Sequence, residues 1–232
     1  TMSAMYNERF GYDANGNIMQ LKRNGNNSNI DMDSLSYYYY KINASGARVL
    51  NTSALSAGEK RTNMLAYVSD TVSSTNYPNN SNRKLEDIDN QTNFDNYIYD
   101  KIGNLIQDKS EDMYITWTPY GKIESIEKYT KGFSLNFTYD PMGNRVSKRE
   151  MSKKGINTTY YVRDAQGNVM ATYEKTEHLC ADELTTTLKW QEQHIYGSSR
   201  LGMYQPNKTI NTQVNYLMIG TNYPYKGIYQ SK

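Results

Sequence analysis

Cys180 is the only cysteine in this chain of 232 residues, so no internal disulfide framework can staple it. A disulfide-free protein can still be exported, so this leaves the redox compartment open. No run of 18 apolar residues occurs, which excludes a membrane-spanning helix. The opening TMSAMYNERF lacks the apolar core of a secretory leader. Charge of one sign is also missing. Lys plus Arg number 26 and Asp plus Glu 24, for a net charge of +2. Such a balance argues against a nucleic-acid or membrane-surface partner held by bulk electrostatics. Hydrophobic residues make up 37%, short of the roughly 45–50% of an ordinary globular domain, so material for a thick core is scarce.

Tyrosine, by contrast, is abundant, at 23 copies. Its ring can be buried while its hydroxyl stays at a wet face. A sheet one layer thick, with water on one side, uses such residues well.

The organising stretch is FTYDPMGNR, residues 137–145. Tyr139-Asp140-Pro141-Met142-Gly143-Asn144 has full relatives in Tyr12-Asp13-Ala14-Asn15-Gly16-Asn17 and Tyr99-Asp100-Lys101-Ile102-Gly103-Asn104. Arg163-Asp164-Ala165-Gln166-Gly167-Asn168 puts Arg in place of Tyr, and Trp117-Thr118-Pro119-Tyr120-Gly121-Lys122 puts Thr in place of Asp. The last four of these glycines recur at roughly twenty residues, a spacing typical of repeat architectures. The pattern has a mechanism. Asp accepts hydrogen bonds from the backbone ahead of it, Pro presets φ for a type I turn, and Gly takes the left-handed conformation of a three-residue hairpin loop with a bulge. Alternating runs such as 168–173 and 144–149 follow the turns, and period two means strand.

The copies YDANGN, YDKIGN and YDPMGN resemble the tyrosine-aspartate repeats of the RHS proteins. Residues 160–169, YYVRDAQGNV, resemble the opening of the RHS-associated core region in its Bacteroidetes form, and residues 193–202, QHIYGSSRLG, continue the likeness. The resemblance covers most of residues 10–204. It implies an all-β fold of successive antiparallel hairpins forming one long curved or spiralling sheet, part of a hollow shell. It also implies a non-enzymatic role: enclosing a C-terminal cargo, often a toxin, or building an extended module at the cell surface. The implied partners are the rest of a longer chain and its cargo, and the implied location is secreted or cell-surface. The chain starts almost at once on a repeat, as the middle of a longer protein does.

The expected organisation is a set of repeat hairpins over 1–159 with a loop-rich insertion near 43–93, a core-like segment over 160–206, and a divergent tail over 207–232. Residues 32–42, MDSLSYYYYKI, and 61–70, RTNMLAYVSD, read as strands. Residues 43–60 read as a loop, or as a strand end at 48–50 before one. Residues 71–93 read as a long surface loop. Residues 174–190 fit either a short helical turn around 181–184 or an inserted hairpin. An open sheet of this kind leaves edge strands with unpaired backbone groups.

Candidate chemistry is sparse. Tyr37, Tyr38, Tyr39, Tyr40, Trp117 and Tyr120 could form a sugar- or protein-binding face, the leading alternative function. Asp140-Pro141-Met142-Gly143 matches a motif with which some RHS proteins cut off their C-terminal toxin. That work needs a second carboxylate sharing a proton, and no second Asp-Pro occurs. His178, Cys180 and His194 offer three zinc-type ligands without a fourth at ligand spacing. No Gly-x-Ser-x-Gly and no Gly-Lys-Ser/Thr appears. The expectation is therefore no catalytic, cofactor or metal residue.

Overall fold

A computed structural model describes residues 6–25, 31–73, 91–180 and 183–216. Every regular element among them is a β-strand. The strands are consecutive antiparallel hairpins and do not close into a barrel. The chain divides into two compact units, Thr1–Glu111 and Asp112–Lys232.

The first unit holds β1 (Glu8–Tyr12), β2 (Ile18–Asn24), β3 (Asp31–Ile42), β4 (Arg48–Leu50), β5 (Lys60–Asp70), β6 (Tyr97–Tyr99) and β7 (Leu105–Asp108). Its centre is β3, the four-tyrosine strand, with β2 and β4 in succession along one edge and β5 along the other. Here a true core forms. Leu35 and Val68 are 2% and 1% exposed, and Tyr40, Ala66 and Tyr67 pack with Tyr38, Leu50, Met64 and Tyr99. Tyr38 and Tyr67 face each other across the ladder with rings parallel and 4.4 Å apart. Offset aromatic pairs of this kind add about 0.5–1.5 kcal/mol beyond their buried area.

Two ion pairs neutralise charge in this unit, although Asp33 Oδ1, Arg48 Nε and Asn51 Oδ1 are buried without a hydrogen-bond partner. Arg23 Nε lies 2.5 Å from Asp33 Oδ2, and Lys41 Nζ lies 2.9 Å from Glu59 Oε2. The Ser56 amide, and then Lys41, hold the Glu59 carboxyl below its ordinary range. Burial pushes the Tyr99 hydroxyl up to about 12.

The second unit holds β8 (Met113–Trp117), β9 (Ile123–Lys128), β10 (Phe133–Tyr139), β11 (Arg145–Ser152), β12 (Gly155–Arg163), β13 (Val169–Cys180), β14 (Glu183–Tyr196), β15 (Arg200–Tyr204) and β16 (Lys208–Tyr216). Each strand pairs with the next up to β15, and β16 returns to lie along the first half of β14. Little is buried. One cross-strand row runs Asn136, Arg149, Thr158, Lys175, Leu188, Asn211, and the row beside it Leu135, Glu150, Asn157, Thr176, Thr187, Thr212. Directly paired residues share a face and successive residues alternate faces, so both faces of this part of the sheet are largely polar. Its apolar anchors are few: Ile115, Ile156, Ala171 and Leu184.

Three features extend the sequence reading. Residues 174–190 are hairpin strand, not helix, up to Cys180 and again from Glu183, with Leu179 opposite Leu184; Ala181 lies outside the described residues. Residues 43–50, read as loop or strand end, hold a full turn and the strand β4. The described part of the divergent tail is the strand β16. Most of the proposed 71–93 loop lies outside the described residues. The glycines at 132 and 155 mark the turns at the opposite ends of the hairpins, both with positive φ.

Candidate functional site

The repeated turns share one geometry. In the Asp140 copy, the Asp140 amide donates to the Asn144 carbonyl at 2.9 Å and the Gly143 amide donates to the Asp140 carbonyl at 2.9 Å. Asp140 Oδ1 accepts the amides of Met142 and Asn144, at 2.9 and 2.8 Å, and Oδ2 accepts the Asn144 side-chain amide at 3.1 Å. Asp13 and Asp164 repeat all five bonds, and Asp100 repeats all of them but the one from the glycine amide to the Asp carbonyl. The glycines Gly16, Gly103, Gly121, Gly143 and Gly167 have φ of 82°, 98°, 71°, 81° and 88°, where a Cβ would strain the chain. The ladder slips by one residue just before each of these turns, at Tyr12, Tyr99, Trp117, Tyr139 and Arg163, the bulge expected of this loop type.

This explains the Asn that follows each Gly: its side-chain amide ties down the second carboxylate oxygen. Thr118 keeps the backbone bonds and accepts the Lys122 amide at 3.1 Å, but its turn has no such bridge to an Asn side chain. Asn43-Ala44-Ser45-Gly46 is a sixth copy, with Asn43 Oδ1 accepting the Ala47 amide at 2.8 Å and Gly46 at φ 84°. Asn stands for Asp there and Ala follows the Gly, so the letters hide it.

All four aspartates sit below their ordinary value of 3.8. For Asp13 and Asp164 the Asn side-chain bond is the largest cause, and for Asp140 it is the Asn144 amide. For Asp100 desolvation is largest and opposes the shift, and the combined bonds from Asn104, Ile102 and Gly103 outweigh it. A carboxylate held ionised in this way is the reverse of the raised acid that a proton-sharing self-cleaving pair needs.

The residue before the turn has a second task. Tyr139 donates its hydroxyl to the Ile123 carbonyl at 2.7 Å, and Ile123 is the first strand residue after the preceding turn. Tyr196 does the same to Val169 at 3.1 Å. Arg163, the copy that lacks Tyr, donates Nε to the Arg145 carbonyl at 3.1 Å, the equivalent position one turn earlier. In the first unit Tyr39 donates to Ile18 at 2.9 Å. A tyrosine or its arginine substitute therefore ties one hairpin to the one before.

The proposed binding aromatics do not act together. Tyr39 and Tyr40 spend their hydroxyls on the Ile18 and Tyr97 carbonyls, Tyr38 stacks on Tyr67, and Tyr37 is half-buried. Trp117 is half-buried at the end of β8. Tyr120 is different, 90% exposed at a turn tip. It borders a groove of about 670 Å³ between the Thr118 and Asp140 turns, shared with Pro119, Lys122, Glu124, Phe137 and Met142. In the first unit a hollow of about 630 Å³ lies beside Arg48, whose guanidinium donates to the Tyr99 and Asp100 carbonyls at 3.1 Å and lies near the Tyr40 and Tyr99 rings. That arginine clamps the Asp100 hairpin to β4, and no motif advertised it.

His178 is exposed opposite Thr185, whereas His194 is buried near the other end of the same hairpin, 3.2 Å from Glu192. The two do not meet, and the Cys180 side chain lies outside the described residues. No cluster of three metal-type ligands occurs among the described residues.

No family model matches the chain. Over 128 residues it is 30% identical to Salivary gland surface protein 1 of Aedes aegypti, a match that takes in 51% of this chain and 4% of that protein. The chain thus corresponds to a small part of that relative's length. No helix among the described residues is long and apolar enough to cross a membrane, which says nothing of β-barrels.

Proposed function

We propose that this chain is a structural, non-catalytic wall segment of an RHS/YD-type repeat protein. Its hairpins enclose a C-terminal cargo, or build an extended module outside the cell. The observation that carries this reading is the recurring acidic turn joined to a Tyr or Arg tie between successive hairpins. That device propagates a sheet indefinitely and aims no reactive group at a shared point. The largely polar second unit suits a thin wall wetted on both sides. Surface or secreted placement draws support from the name of the mosquito relative. The partners are then the remaining repeats and the cargo.

The test uses the longer reading frame that this role requires. Its C-terminal segment should resist protease inside the assembled protein and become sensitive when Asp100→Ala and Asp140→Ala are combined. Equal digestion of that segment with and without the repeats present would sink the proposal. The second reading, a surface module that binds sugar or protein, draws support from the exposed Tyr120 at the lip of its groove.

A further inference from the structure

The groove between the Thr118 and Asp140 turns stands out for what the turn itself does not need. The third turn position is polar in three copies, Asn15, Ser45 and Gln166, and an exposed Ile102 in the Asp100 copy, so the geometry requires no apolar group there. Here it holds Tyr120 and Met142, 90% and 77% exposed. Large apolar groups set side by side in water mark contact sites more often than they mark folding needs. Both this gap and the next, between the Asp140 and Asp164 turns, carry a tie, Tyr139 to Ile123 here and Arg163 to Arg145 there, but in the next a side chain also closes on the turn glycine. Asn144 lies so close to Gly167 that an added Cβ would come within 3.2 Å of its Oδ1. Arg163 also bonds to both the Arg145 and Gly167 carbonyls there.

Where the other strict copies have Asn bridging to Asp, this groove has Lys122. Its stem passes over Gly143, where a Cβ would lie 3.7 Å from Lys122 Cε. Among the described residues neither the Lys122 ammonium nor the Glu124 carboxylate has an ion-pair partner. The groove therefore offers one strong donor, Lys122, and one strong acceptor, Glu124, while the Asp140 carboxylate that also lines it is spent on its own turn; with them come an aromatic ring open to water and a volume of about 670 Å³, within the roughly 300–1,000 Å³ of small-molecule sites. One ammonium beside two carboxylates gives no pull on an anion. A neutral polyhydroxy ring fits: its hydroxyls accept from Lys122 and donate to Glu124, and its apolar face lies on Tyr120.

We propose that this groove is a subsite for a neutral saccharide. The site deepens the surface-binding reading and does not depend on the enclosure of a cargo, so the protease test can fail while this one succeeds. The experiment is calorimetric and NMR titration of the whole chain with short neutral glucan and chitin oligomers. A proline-rich peptide serves as the competing class. Saccharide binding should perturb Tyr120, Lys122 and Glu124. It should weaken about tenfold or more in Tyr120→Ser, the loss that removing one stacked ring brings. Ser45 occupies the same place in the Asn43 copy, so this substitution suits the turn. Lys122→Asn should weaken binding as well, while circular dichroism stays unchanged. Absence of binding by every oligomer, binding indifferent to Tyr120→Ser, or capture of the peptide alone would overturn the proposal.

Discussion

The two units solve the same problem with different means. In the first, β3 gathers its neighbours around an aromatic cluster, and the ion pairs Arg23–Asp33 and Lys41–Glu59 join it to adjacent segments. In the second, nine strands run in sequence with few buried apolar groups, and order comes from turns, ties and cross-strand pairs. Each cross-strand pair is worth only about 0.2–1 kcal/mol, so the second unit depends on number and the first on a few contacts. The difference teaches that one hairpin repeat can be stabilised from its face or from its corners. Tyrosine serves both: ring against ring at Tyr38 and Tyr67, hydroxyl to carbonyl at Tyr139 and Tyr196.

The comparison breaks most sharply at a single core position. Tyr67→Ala should cost about 3 kcal/mol, as large-to-small changes of buried aromatics do. In urea titrations read by residue-level amide exchange, that loss should fall on the first unit. A uniform loss across both units would erase the distinction. In the second unit the most damaging small change is Gly155→Ala. A Cβ there would stand 2.6 Å from the Glu177 carbonyl oxygen at φ +129°, and strain of this kind costs about 1–3 kcal/mol. Its signature is faster amide exchange in β12 and β13.

Acid sharpens the contrast in another way. The folded-state pKa values of Asp13, Asp100, Asp140 and Asp164 lie below 3.8. Their contribution is therefore complete above that value and is lost as pH falls through the folded pKa values. Thermal stability should hold down to about pH 4 and decline below it. A variant with Asn at all four positions should show a shallower decline. The same acid slope in both proteins would remove the turns from the account.

Much of this was legible in the letters. Asp-x-x-Gly-Asn is a local chemical statement, so its turns, bulges and following strands could be placed from residues such as Asp140 and Gly143 alone. The Asn43 turn was missed because Asn performs the Asp role without keeping the motif. The ties escaped because Tyr139 to Ile123 and Arg163 to Arg145 depend on which strands become neighbours, and so did the Arg48 clamp. The Tyr37–Tyr40 run looked like a binding platform. Packing on β5 and β6 instead consumes the Tyr38 and Tyr40 rings, a non-local outcome that no spacing announces. Tyr120 was legible as an exposed aromatic, but its charged neighbours Lys122 and Glu124 had no motif to single them out.

The central claim is that a donor just before a turn, Tyr139 or Arg163, ties its hairpin to the one before, whatever residue supplies it. Arg163 offers the most direct test, because the repeat itself names the replacement. Removing the tie with Arg163→Ala should lower unfolding free energy by about 1 kcal/mol, the net worth of a typical hydrogen bond. Arg163→Tyr should recover most of that loss in the same chemical denaturation experiment. A tyrosine variant as unstable as the alanine variant would contradict the claim.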